Sequence, residues 1–175
     1  MQTLFHSTWG AIHLLTAAAS LVLGTAVLLV PKQNPFHKPA GYAYLAGMTT
    51  MITTAFGIYR QYGGFGIFHA AAILTGLTLL AGMVPVLWRK RIRHPLRWHY
   101  GFMYLSVLEL YIALVAELLV RTPGATFGRV AALSSAVVLI PGGLLFFTRL
   151  AKRWQGRVRY PATFSWEGDD LKRAA

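Results

Sequence analysis

Four histidines near the ends of long apolar runs are the residues of this chain best suited to chemistry. They are His13, His37, His69 and His99. If the runs are helices that cross a membrane in alternating directions, His13 and His69 form an outer pair near one surface and His37 and His99 an inner pair near the other. A neutral imidazole can coordinate zinc or haem iron through one ring nitrogen. The spacing therefore predicts two pairs of candidate cofactor ligands, each pair on helices two apart in chain order.

A glutamate predicted at the same membrane depth as the outer pair could act as a further metal ligand. Glu117 lies near the outer end of its apolar run, and ionisable groups inside a membrane are costly and usually pair with one another. His13 and His69 could be the axial ligands of one haem, or His13, His69 and Glu117 could hold zinc with a water position open for hydrolysis. The third alternative is local hydrogen bonding, with Glu117 paired to Arg121 one turn later.

The inner pair lies at the other surface. His37 precedes the second run and His99 lies in the first turn of the fourth. If both ligate a haem, two cofactors would lie within one membrane thickness and could pass electrons between them. The alternative is that both rings contact lipid headgroups and the main chain.

A second glutamate falls near the middle of the fourth run. Glu109 is about 15 Å from His99 along a helix that rises 1.5 Å per residue, and no basic residue is expected at that depth. We expect it to be protonated or hydrogen-bonded to a threonine of the second run, and it is the candidate for a proton relay. The threonines in question are Thr49, Thr50, Thr53 and Thr54.

The composition favours a membrane environment for these residues. The 175-residue chain is 55% hydrophobic and 13% charged, whereas soluble domains are about 25% charged. Its apolar runs, at residues 8–30, 40–59, 65–88, 98–120 and 127–147, have roughly the 20 residues that cross about 30 Å of hydrocarbon. We therefore predict an all-α integral membrane bundle of five transmembrane helices over residues 1–158, with a polar cytoplasmic tail at 159–175.

Proline, glycine and cysteine usage refine this picture. Pro31 and Pro95 stand where runs end or begin, and Pro141, followed by two glycines, is expected to kink the fifth run. The chain has no cysteine, so neither disulfide nor thiol chemistry is expected. The first run is longer than a signal-peptide core and is expected to remain as a helix.

The distribution of positive charge predicts the orientation. The formal net charge is +12, yet of the 17 lysines and arginines only Arg60, Arg121 and Arg129 fall on the outer side if the N-terminus is outside. This positive-inside bias predicts an outer N-terminus and a cytoplasmic C-terminus, and it gives no indication of nucleic-acid binding.

The densest basic cluster lies between the third and fourth runs. We expect it to contact anionic lipid headgroups. Its members are Arg89, Lys90, Arg91, Arg93 and Arg97.

Short motifs around the histidines resemble a widespread family of bacterial integral membrane proteins classed as a domain of unknown function. The matching segments are GAIH (10–13), HKPAGYAY (37–44), GIYR (57–60), GGFGIFH (63–69), HYGFM (99–103) and AE (116–117). This resemblance implies a membrane fold and supplies no reaction. The histidine layout is also similar to that of the cytochrome b561 family, which implies a helical bundle with two b haems and transmembrane electron transfer.

These observations lead to three hypotheses of function. The leading one is haem-b-dependent electron transfer, with His13 and His69 holding the outer haem and His37 and His99 the inner one. The alternatives are a zinc-dependent membrane hydrolase at the outer site and a non-catalytic subunit or small proton-linked transporter that uses Glu109. The expected location is the cell membrane as a multi-pass protein, most simply the bacterial inner membrane. No electron donor or acceptor is identified by a motif.

Overall fold

The computed structural model describes residues 8–31, 34–58, 65–92, 94–120 and 122–150, and within these ranges it is helical and contains no strand. The helices are α1 (Thr8–Leu29), α2 (His37–Ala55), α3 (Ile67–Leu87), α4 (Pro95–Leu119) and α5 (Phe127–Leu145), followed by a π-helical segment (Phe146–Leu150). The predicted all-α class is confirmed. The second helix ends at Ala55, so its predicted extension toward residue 59 is wrong over residues 56–58, while residue 59 and the predicted tail at 159–175 lie outside the described residues.

Four of the described helices are long and apolar enough to cross a membrane. They are α1, α3, α4 and α5 extended by the π-helical segment. The helix α2 is 19 residues long, and its glycines, threonines and tyrosines make it less apolar than the other four. Among the described residues, the apolar helices therefore support a multi-pass membrane protein, while the fifth span and the orientation stay predictions.

Two helices begin earlier than the apolar runs suggest. α2 begins at His37 rather than at residue 40, so His37 lies inside the helix instead of preceding it. α4 begins at Pro95 rather than at residue 98, which moves His99 from the first turn to the second. Prolines are tolerated in a first turn because the main-chain N–H groups there have no partner within the helix. Both starts extend beyond the apolar runs because polar and proline residues can occupy such turns.

The first four helices pack in a ring. α1 lies along α2 and α3 along α4, while α2 also contacts α3 and α1 contacts α4. This arrangement sets α1 diagonally across from α3 and α2 diagonally across from α4. The centre is filled by apolar side chains, and the buried members of this core are Tyr44, Met48, Leu79, Val107 and Leu110.

Glycines allow the close packing of this ring. A Cβ added at Gly24 of α1 would lie 2.7 Å from the Tyr44 ring and 2.8 Å from a Val107 methyl group. A Cβ at Gly82 of α3 would lie 2.9 Å from the sulfur of Met103 on α4. Small residues of this kind let membrane helices approach closely and gain van der Waals contact.

Contacts divide the chain into two compact units, residues 1–138 and 139–175, with the boundary inside α5. In the first unit, the Phe127 ring at the start of α5 meets Phe68 of α3 edge to face, with 6.1 Å between the ring centres. In the second unit, α5 continues through Pro141 to Leu145, and the change to π-helical hydrogen bonding follows at Phe146–Leu150. The predicted kink at Pro141 stays a prediction, because α5 continues through the proline and the π-helical segment begins five residues after it.

Candidate functional site

His13 is held by the last turn of α2. Its Nδ1 lies 2.9 Å from the carbonyl oxygen of Met51 and 3.2 Å from the hydroxyl oxygen of Thr54. A carbonyl oxygen can only accept, so Nδ1 carries the proton and donates it. In a neutral ring, the nitrogen lone pair therefore belongs to Nε2. Metal-ligating histidines use this arrangement, in which a main-chain carbonyl fixes the ring orientation and the tautomer.

His69 is used differently, as part of the start of α3. The main-chain N–H of Gly66 donates to Nδ1 of His69 at 3.0 Å, and the N–H of His69 donates back to the carbonyl of Gly66 at 3.0 Å. These reciprocal bonds satisfy two groups that a helix start otherwise leaves without a helical partner. Because Nδ1 accepts, the proton of a neutral His69 ring lies on Nε2. The sequence did not predict this capping role.

Both outer histidines contact the same end of α2. The buried His69 ring stands 5.8 Å from the Phe56 ring and 5.1 Å from the Phe65 ring, centre to centre. His13 bonds to Met51, just over one turn before Phe56 along the chain. The predicted similarity in depth thus corresponds to a shared contact with the last residues of α2.

Glu117 joins the outer layer electrostatically. It is close enough for a Coulombic interaction with His13. Among the residues that the structure describes, however, no group of three histidine, aspartate or glutamate side chains is placed to hold one metal ion. The structure therefore does not assemble His13, His69 and Glu117 into a three-ligand site. Arg121, the alternative partner of Glu117, lies outside the described residues.

In the inner layer, His99 repeats the arrangement of His13. Its Nδ1 lies 2.8 Å from the carbonyl oxygen of Gly82 on α3, so Nδ1 donates and a neutral ring places its lone pair on Nε2. The absence of a side chain at Gly82 lets α4 come close to this carbonyl. His37, half-buried, is the first residue of α2, and its main-chain N–H donates to the carbonyl of Asn34 at 3.0 Å. One histidine in each layer is thus oriented by a carbonyl of a neighbouring helix.

Glu109 has a different partner from the one that the sequence predicts. Thr78 of α3 donates its hydroxyl proton to Oε1 of Glu109 at 2.8 Å, whereas the expected partner was a threonine of α2. The reason is packing, because α4 packs mainly against α3 and makes little contact with α2. The Thr75 hydroxyl, also on α3, interacts with this carboxyl group as well, although the other carboxyl oxygen, Oε2, is buried and makes no hydrogen bond of good geometry among the described residues.

The threonines of α2 instead satisfy their own helix. Thr50, Thr53 and Thr54 each donate to the carbonyl four residues earlier, at 2.8 or 2.9 Å. Such back-bonding is the usual way for a hydroxyl to be satisfied on a membrane helix. Of these three, Thr54 is buried and lies beside the imidazole of His13.

Two hydroxyl pairs that the sequence did not predict connect helices through the core. Tyr44 of α2 and Ser106 of α4 bring their oxygens to 2.8 Å, and both residues are buried. Thr25 of α1 and Tyr111 of α4 do the same at 2.9 Å. Isolated hydroxyl residues in apolar runs are the signal that could have indicated these bonds, although the sequence cannot pair them.

The basic cluster lies where α3 ends and α4 begins. Four of its members are exposed there, namely Arg89, Lys90, Arg91 and Arg97. The fifth predicted member, Arg93, lies outside the described residues. Trp88 and Trp98 are also exposed at this level, as expected for rings at a membrane interface.

Compared with protein-family models, with curated proteins and with solved structures, the chain matches none. The resemblance to a bacterial membrane family and the likeness to cytochrome b561 therefore stay predictions.

Proposed function

We propose that this protein is a five-span membrane protein of the cell membrane that binds haem b and passes single electrons between a reductant on one side and an oxidant on the other. The observation that carries the proposal is the hydrogen bond from Nδ1 of His13 to the Met51 carbonyl. It fixes the ring and assigns the lone pair to Nε2, as in histidines that bind a metal. His99 has the same arrangement with the Gly82 carbonyl at the opposite end of the bundle.

The ring of four helices supports the pairing of the histidines. α1 and α3 are diagonal in the ring and carry the outer pair, while α2 and α4 are diagonal and carry the inner pair. His13 and His69 would hold the outer haem, and His37 and His99 the inner one. The bound haem would supply one-electron redox chemistry, while the chain sets ligand orientation and keeps water away.

His69 must change its hydrogen bonding to take this role. Its Nδ1 now accepts from Gly66, so ligation through Nε2 requires the ring proton to move to Nδ1 and the Gly66 bond to break. Losing a helix cap costs about 1 kcal/mol, which the bond from Nε2 to iron would have to offset. His13 needs no such change and is therefore the residue on which the proposal depends most directly.

A second candidate function is proton-linked transport through Glu109. The observation that favours it is the carboxyl group of Glu109. Its Oε2 is buried, while its Oε1 accepts a hydrogen bond from Thr78. A carboxyl group at membrane depth that is not paired with a cation is most readily accommodated in its protonated form. If proton-linked transport is the function, the histidines have structural roles and no cofactor binds.

The test of the proposed function is a reduced-minus-oxidised visible spectrum of the full chain, purified in detergent from cells with adequate haem supply. We expect the sharp α and Soret bands of b-type haem, with two haems per chain by pyridine haemochrome. His13→Ala should remove one haem, because the oriented ligand of the outer layer is lost.

His94→Ala is the matched control, since His94 is exposed and lies at the start of α4. It should retain both haems. A flat spectrum for the haem-supplied wild type, or an unchanged haem content in His13→Ala, would contradict the proposal. A flat spectrum would leave Glu109 as the leading candidate site.

A further inference from the structure

A hollow runs along one face of α4 at the inner end of the bundle. Its volume is about 440 Å³, and it is a shallow groove that is open along most of its length. The lining residues are His94, Arg97, Trp98, Gly101, Phe102 and Leu105. They recur at intervals of three and four residues, so they form a single stripe along the helix.

The chemistry of this stripe changes along its length. Arg97 and His94 stand at the inner end, where the basic cluster of the protein lies. The stacked rings of Trp98 and Phe102 follow, with their centres 5.5 Å apart and their planes 10° from parallel. Leu105 closes the apolar end, about 17 Å from His94 at 1.5 Å per residue. A positive end joined to an apolar length of this size matches an anionic amphiphile.

Gly101 creates the space for such a ligand. A Cβ added at this position would meet no atom within 4 Å, so the glycine is not required by close packing of the helices. Its missing side chain leaves a notch between the turn that carries Arg97 and Trp98 and the turn that carries Leu105. The main-chain conformation is helical, so this glycine costs helix stability without a packing benefit.

We propose that this hollow is a binding site for one anionic phospholipid, with its phosphate against Arg97 and an acyl chain along Trp98, Gly101 and Leu105. Charge complementarity selects the headgroup, because a guanidinium can bond to phosphate oxygens through two N–H groups. The apolar length selects a lipid over a free phosphate ion, which would leave the rings and Leu105 without a partner. This goes beyond the general attraction of a basic loop to an anionic membrane surface, since it assigns one lipid to one place.

The experiment is a titration of the detergent-purified full chain, with bound lipid counted by native mass spectrometry. The probes are phosphatidylglycerol, phosphatidylcholine and inorganic phosphate. We expect saturable binding of one phosphatidylglycerol and much weaker binding of phosphatidylcholine, with no competition from inorganic phosphate.

Two variants should weaken phosphatidylglycerol binding in different ways. Arg97→Gln removes the charge and should weaken binding about fivefold, the effect of one basic group near an anionic surface. Gly101→Leu adds a side chain whose Cβ would meet no atom within 4 Å, and by filling the notch it should weaken binding at least as much. Because neither change touches the buried core, both proteins should fold.

Two matched controls separate the site from its surroundings. Lys90→Gln removes one charge from the same basic cluster outside the stripe, and Gly41→Leu fills a second position on an inner helix turn where a Cβ would meet no atom within 4 Å. Both should bind phosphatidylglycerol like the wild type.

Several outcomes would overturn the proposal. Equal binding of the two phospholipids would remove the role of Arg97, and competition by inorganic phosphate would indicate a site for small anions. Wild-type binding by Gly101→Leu would place the lipid elsewhere. A wild type that is dimeric and a Gly101→Leu variant that is monomeric but still binds lipid would indicate that a second copy of the chain occupies the face.

Discussion

At the scale of single residues, the ring nitrogens of the histidines decide what each can do. His13 and His99 donate from Nδ1 to a carbonyl of a neighbouring helix, whereas Nδ1 of His69 accepts from the N–H of Gly66. The three residues are the same type in similar surroundings, yet only the first two hold the tautomer that suits a ligand through Nε2. Their spacing along the sequence does not distinguish the three histidines, because the tautomer of each ring depends on which main-chain group lies opposite its Nδ1.

The protonation state of Glu109 tests the second candidate function, proton-linked transport. We expect its carboxyl group to be protonated at neutral pH, because burial at membrane depth disfavours the charged form and outweighs the single hydrogen bond that Thr78 donates to Oε1. Infrared spectroscopy of the purified protein should show the C=O band of a protonated carboxylic acid. Glu109→Gln should remove that band and change the free energy of unfolding by no more than about 1 kcal/mol, since the amide remains neutral and can accept from Thr78.

Glu117→Gln is the control, because Glu117 is exposed near the outer end of α4. The band should persist in this variant. A band that persists in Glu109→Gln would show that another group carries the proton, and Glu109 would then have no claim to a proton relay.

At the scale of helices, close approach at glycine holds the ring together. Gly24 faces both Tyr44 of α2 and Val107 of α4, so one residue of α1 contacts two other helices at once. The same neighbourhood contains the bond between Tyr44 and Ser106. Apolar contact and a buried hydroxyl pair thus stabilise the same level of the bundle.

Gly24→Ala should therefore destabilise the protein. The added methyl group would lie 2.7 Å from the Tyr44 ring, and overpacking of this kind costs about 1–3 kcal/mol in the free energy of unfolding. Unfolding of the reconstituted or detergent-solubilised protein by heat or denaturant measures the change.

Gly41→Ala provides the comparison on α2, where a Cβ meets no atom within 4 Å. Because alanine favours a helix over glycine by about 1 kcal/mol, this variant should be as stable as the wild type or slightly more stable. If both substitutions lower stability equally, the close approach at Gly24 has no special role.

The sequence predicts where the helices lie better than it predicts which side chains meet between them. Apolar runs located the described helices to within a few residues, since length and composition are enough for that. The predicted hydrogen-bond partner of Glu109 was wrong because each helix is apolar around most of its circumference. No polar stripe in the sequence therefore shows which face of a helix packs against which neighbouring helix. The cap formed by His69 and the pairs Tyr44–Ser106 and Thr25–Tyr111 were not predicted for the same reason.

At the scale of the whole molecule, charge predicts how the chain lies in the membrane. The chain contains no cysteine, so one introduced cysteine is a unique site for a membrane-impermeant thiol reagent. Thr122, exposed between α4 and α5, should be labelled as Thr122→Cys in intact cells, because the positive-inside rule places it outside. Lys90→Cys, in the basic cluster between α3 and α4, should be labelled only after the membrane is permeabilised.

The reverse pattern would invert the orientation. His37 and His99 would then form the pair nearer the outside, and the lipid site on α4 would face the outer leaflet. Labelling of both positions in intact cells would show that the intervening α4 does not span the membrane.

The modest hydropathy of α2 has a consequence for how the protein is made. α2 contacts α1 along its length, yet it is absent from the described helices that are apolar enough to cross a membrane by themselves. If it spans, as we propose, we expect it to enter the membrane together with α1 as a hairpin, so that Ser20 and Gly47 meet before either helix is surrounded by lipid. The last turn of α2, which orients His13, would then be in place before the chain beyond it has left the ribosome.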